Sequence, residues 1–81
     1  MTIDLSRERR RWAVRVLRSR KDSLRGLNGR ERLTFALGLL MTDRGGTFSE
    51  ADVAAAAADP SALQVASVLL IKAGCARPGE A

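Results

Sequence analysis

Apolar residues in the first third of the chain recur at helical spacing. With successive residues turned by about 100°, Trp12, Ala13, Val16, Leu17 and Leu24 share one side. Strict alternation fits the stretch poorly, so the pattern predicts a helix from Leu5 or Ser6 to Arg25 and not a strand. Val14 falls on the opposite, polar side. Arg9 and Arg20 stray toward the apolar side, where long stems cover apolar surface while the charged heads reach water.

Three more helices follow. Gly26 is suited to the left-handed conformation that stops a helix. Asn28 then caps the next, with Glu31 three residues on to complete a reciprocal capping box. This second helix, 29 to 43, carries Leu33, Phe35, Ala36, Leu37, Leu39, Leu40 and Met41 and is apolar nearly all round, which places it at the centre of the fold. "RGG" at 44 to 46 ends it. "TFSEADV" opens the third helix, 50 to 58, with Ser49 as cap, Asp52 as box partner and Phe48 clasping Val53 across the cap. Asp59 before Pro60 breaks that helix. Asp59 or Ser61 caps the fourth, 61 to 73, with Gln64 suited to pair with Ser61. Gly74 stops it, and the tail after Cys75 is expected to fray.

The pattern therefore predicts an all-α, four-helix compact domain with almost no strand. Within it lie a basic amphipathic helix at 1–27, a three-helix core at 28–75 and a frayed tail at 76–81. At 81 residues there is room for one domain with a modest core. Aromatic residues are scarce, so that core is aliphatic, with Trp12, Phe35 and Phe48 as its large rings. The longest apolar run, "LTFALGLLM", is too short to span a bilayer, and the charged residues before it do not read as a signal peptide. A single cysteine, Cys75, fits a reducing cytosol, and a cytoplasmic location is expected. Cys75 is read as a small apolar packing residue, since Arg77 alone is weak support for a reactive thiol.

Charge changes the picture most. Residues 1 to 32 hold eleven Arg and Lys against four acids, a net of +7, whereas residues 33 to 81 hold three against five, a net of −2. In "RERRRWAVRVLRSRK" the basic residues are mostly Arg and have few acids interleaved, so i to i+4 salt bridging does not account for them. Arg7, Arg11, Arg18 and Arg25 form one stripe, flanked by Arg10 and Lys21 on one side and Arg15 on the other. Such a row suits phosphates, because guanidinium groups present paired donors and each neutralised phosphate releases counterions. A solvated basic face is the plainer explanation, and an acidic protein partner a further one. A membrane surface fits poorly, because the apolar side is narrow and needed for packing.

Catalysis lacks parts. There is no histidine, no phosphate-binding loop, no dinucleotide glycine pattern and no metal-ligand set, so no catalytic residue, no metal and no cofactor is expected.

The stretch "FSEADVAAAAADPSALQVASVLLIKAGCARPGEA", with the helix before it, resembles the helix-turn-helix half of winged-helix domains over about residues 33 to 79. A staple-and-cap start, a Pro-marked turn and a Gly closing the last helix carry the resemblance. It implies a supporting helix at 29 to 43, a scaffold helix at 50 to 58 and a recognition helix at 61 to 73, with Leu63 and Leu70 pointing inward. Ser67 departs from the family pattern, and the stretch after Gly74 is too short for a full β-wing. The implied recognition helix also has few side chains that read bases: Gln64, with Lys72 and Arg77 beyond it.

Two functions fit this sequence. One is a small regulatory protein that binds DNA, or RNA, through phosphates at Arg7, Arg10, Arg11, Arg15, Arg18, Lys21 and Arg25, with Gln64, Lys72 and Arg77 supplying any sequence preference. The other is an adaptor, antitoxin-like or dimerisation module, docking on a protein or a second copy through Val65, Val68, Leu69 and Ile71.

Overall fold

A computed structural model describes residues 3–41 and 49–78. These residues form helices and the turns between them, with no strand among them. The elements in order are α1 (Arg7–Ser19), α2 (Lys21–Leu24), α3 (Gly29–Met41), α4 (Glu50–Ala57) and α5 (Pro60–Lys72). The Phe48 staple and the "RGG" terminator fall outside the described residues.

Most helix starts follow the capping residues. Ser6 opens α1, its hydroxyl accepting from Arg9 N–H at 3.2 Å. Asn28 and Glu31 form the reciprocal box ahead of α3, with bonds of 3.0 and 2.9 Å. Ser49 and Asp52 do the same for α4, at 3.2 and 3.1 Å. Asp59, not Ser61, caps α5: its carboxylate accepts from Ser61 N–H at 3.0 Å, with Pro60 in the first turn. Gln64 is thereby left free of capping duty.

The structure departs from the sequence pattern at Arg20 and at Gly26. The single helix predicted through Arg25 breaks at Arg20, whose φ of −106° and ψ of 14° are not helical. The Ser19 hydroxyl donates back to Val16 C=O at 2.7 Å, and the Arg20 N–H is shared between Val16 C=O and Leu17 C=O. Back-bonding of this kind bends helices, and here it separates α1 from the one-turn α2. Gly26, expected in the left-handed region, is not there: Gly74 alone among the described residues has a positive φ, at 74°. The chain leaves α2 instead by a turn in which Leu27 N–H meets Leu24 C=O at 3.1 Å.

The core is aliphatic, with Leu17, Leu37, Leu40 and Leu70 its largest fully buried side chains. Ala13, Ala36, Ala62 and Ala66 have no exposed surface, and side chains this small let helix backbones approach closely. α3 is central, touching α1, α4 and most extensively α5. The axes of α4 and α5 turn by 100° across the Ala58–Asp59 junction.

The amino-terminal segment packs along α3. Asp4 N–H donates to Leu40 C=O at 3.1 Å, and Arg9 reaches Leu39 C=O at 3.5 Å, which ties that segment to α3. Hydrogen bonds from the Ser6 backbone and hydroxyl, aided by the Arg9 charge, hold the Asp4 carboxyl below its ordinary value.

Candidate nucleic-acid interface

α1 and α5 run beside each other, and their outward sides enclose an open groove of about 1200 Å³. Five of the arginines singled out in the sequence line it: Arg7, Arg10, Arg11, Arg15 and Arg18. From α5 come Gln64, toward its amino end, and Lys72 at its carboxyl end. These charged and polar side chains are exposed and form the rims. The deeper surface is apolar, made by half-buried Trp12, Val14 and Val65 together with Leu69.

Helical spacing explains the gathering. Residues 7, 11, 15 and 18 recur every three to four positions and project from one side of α1, and residues 64, 68 and 72 do so on α5. Val14, which appeared misplaced on the helical wheel, covers the groove's base. Arg7, Arg10, Arg11 and Arg15 form no ion pair with any described residue. Glu8 is the acid in the lining.

Arg18 has a structural bond as well as a place on the rim. Its guanidinium donates to Lys72 C=O at 3.2 Å, which ties the two helices together and sets a cation against the negative end of α5. Arg9 is withdrawn from the surface, its side chain only 12 % exposed and its guanidinium 4.8 Å from the centre of the Trp12 ring. Trp12 therefore packs against the core and under a cation, with its remaining edge toward the groove.

The predicted nucleic-acid set divides at the Arg20 break. Lys21, Arg25 and Arg77 do not line the groove; they gather with Arg32 around Gly74 and Cys75, beyond the end of α5. Among the docking residues, Val65 and Val68 face the groove, and Val68, at 40 %, is an exposed large apolar side chain. Leu69 is a core residue at 2 % exposure that only touches the groove's base, and half-buried Ile71 lies outside both concavities. The sequence singled out neither Arg32 nor the groove side of Trp12 and Val14 as functional, because both follow from α1 lying against α5 and α3, which periodicity within one helix does not encode.

Cys75 is buried at 8 % exposure, and its thiol donates to Leu17 C=O at 3.6 Å. Burial pushes the thiol pKa up, opposed in part by the charges of Lys21 and Arg32. Among the described residues no three His, Cys, Asp or Glu side chains are grouped to hold a metal ion. No single described helix is long and apolar enough to cross a membrane. No protein-family model matches the chain, and neither a curated protein nor a solved structure does.

Proposed function

We propose that this is a small regulatory protein of the cytoplasm that binds nucleic acid, DNA before RNA, through phosphates along α1, without catalysis. The observation that carries it is the exposed row of Arg7, Arg10, Arg11 and Arg15, free of ion pairs with any described residue, on the rim of a groove whose other rim is α5. An unneutralised row of guanidinium groups is where a polyanion releases most counterions on binding. The 100° turn between α4 and α5 falls in the range of helix-turn-helix units, which supports α5 as the helix presented to a groove. Gln64 and Lys72 then lie beside the phosphate-binding row, and sequence preference is slight because α5 otherwise presents Ser and Val.

The test is fluorescence anisotropy with duplex and single-stranded oligonucleotides over a range of salt concentrations. Four to five phosphate contacts give a log–log slope of roughly −3 to −5. Arg11→Gln with Arg15→Gln flattens that slope by about 2. Absence of binding at low salt rejects the proposal.

Docking on a protein, or on a second copy, is the other function with an observation behind it: Val68 stands exposed on the same face, next to Val65. Dimeric nucleic-acid binders use both kinds of surface, so the two functions are compatible.

A further inference from the structure

The four cations gathered at the carboxyl end of α5 surround a concavity of about 280 Å³, separate from the groove. Lys21, Arg25, Arg32 and Arg77 line it together with Gly74 and Cys75, and among the described residues no carboxylate does. They come from four different places in the chain: the start of α2, its end, α3 and the segment after α5. The fold itself has brought like charges together.

Capping of helix ends explains part of this. Arg32 is half-buried, its Nε donating to Leu24 C=O at 3.0 Å and its Nη1 to Cys75 C=O at 3.1 Å. A helix end carries only about half a negative charge, so the carbonyls near α2 and α5 leave positive charge in excess. Those two bonds also fix the guanidinium plane and occupy two of its five donors. The Lys21 ammonium lies over Gly74, 3.1 Å from where a Cβ would stand, so the absent side chain leaves room for it. Arg25 meets Asp22 at 3.7 Å, but both side chains are open to water, and such a pair is weak. Cys75, whose thiol burial keeps protonated, adds no negative charge at neutral pH.

We propose that this pocket binds a phosphate-class oxyanion, a phosphomonoester dianion seated between the Lys21 ammonium and the guanidinium groups of Arg25 and Arg32. A tetrahedral dianion accepts paired donors from an arginine and a point charge from a lysine. Two sources share that chemistry. One is free phosphate or a small phosphomonoester. The other is the terminal phosphate of a strand lying in the groove, which ends at Arg18 and Lys72, close to Lys21 in sequence; this source rests on the proposed nucleic-acid function, and the first does not.

Inorganic phosphate titrated into the full ¹⁵N-labelled chain at constant ionic strength tests the pocket by itself. Saturable shifts are expected at the Gly74, Cys75 and Ala76 amides. Lys21→Gln with Arg25→Gln, both exposed side chains, weakens binding roughly tenfold or more through loss of charge-assisted hydrogen bonds. Arg11→Gln with Arg15→Gln leaves the phosphate titration unchanged, so failure of the groove and failure of the pocket are read separately. Oligonucleotides with a 5′-phosphate and a 5′-hydroxyl then divide the sources. Tighter binding of the phosphorylated strand, lost in the Lys21/Arg25 variant, assigns the strand end, and equal binding of the two strands assigns the small ester. Shifts that do not saturate, that persist in the Lys21/Arg25 variant or that spread along Arg7 to Arg15 overturn the proposal.

Discussion

Gly74 meets two demands at once: a φ of 74° and a Lys21 ammonium 3.1 Å from its missing Cβ. The lysine end is flexible and can move aside, so the backbone dominates the outcome of substitution. Gly74→Ala is expected to cost about 1 to 2 kcal/mol, the penalty for an L-residue in the left-handed region, measured as a lower urea midpoint. Asp4 makes a different kind of contribution. Its folded pKa is lowered by the Ser6 hydrogen bonds and then by Arg9, so the stability it lends is present above its ordinary value of 3.8 and is lost as pH falls through the lowered one. Urea midpoints of the wild type and Asp4→Asn therefore differ at neutral pH and converge in acid. Neither residue's role is visible in hydrophobic patterning. Gly74 was legible as a helix stop, but the lysine above it comes from the far side of α3, α4 and α5 in the sequence.

At the scale of elements, capping chemistry was the most legible signal. Asn28 with Glu31 and Ser49 with Asp52 are local devices, with all their atoms within four residues, and both formed as expected. The break at Arg20 was not legible, because it depends on the Ser19 hydroxyl competing for a carbonyl inside a stretch whose periodicity continues unbroken into α2. That break has a large effect on the candidate site, since it parts Lys21 and Arg25 from the stripe and delivers them to Arg32. Arg32 in turn joins the end of α2 to the turn after α5. Arg32→Met keeps the stem and removes the donors, so Cys75 C=O loses the guanidinium and Leu24 C=O keeps the Leu27 N–H. A loss of about 1 to 3 kcal/mol is expected from thermal or urea unfolding, with α1 retained as judged by amide shifts.

For the whole molecule, the all-helical class followed from periodicity, and the lopsided charge was a matter of counting. The groove was hidden, because it needs the relative placement of α1 and α5, set by alanines that let helices close on one another and by the Arg18 bond to Lys72 C=O. The rims and base of that groove make opposite demands on an occupant, charge above and apolar surface below. Val68→Glu separates them. It places a negative charge beside the arginines and breaks the apolar patch, so it is expected to weaken nucleic-acid binding by electrostatic repulsion and to abolish any self-association through α5. Anisotropy and sedimentation velocity on the same sample measure the two effects. An unchanged oligonucleotide affinity shows that the strand lies away from α5.

The left-handed step at Gly74 sends the backbone across the end of α1, so that the Cys75 thiol comes to rest against the Leu17 carbonyl. Two residues on, Arg77 lines the cationic pocket, so the segment that follows α5 returns to that pocket. A fusion partner or affinity tag rich in aspartate or glutamate, attached on that side, would act as a tethered competitor for the pocket, so material for the phosphate titration is better purified through its other terminus.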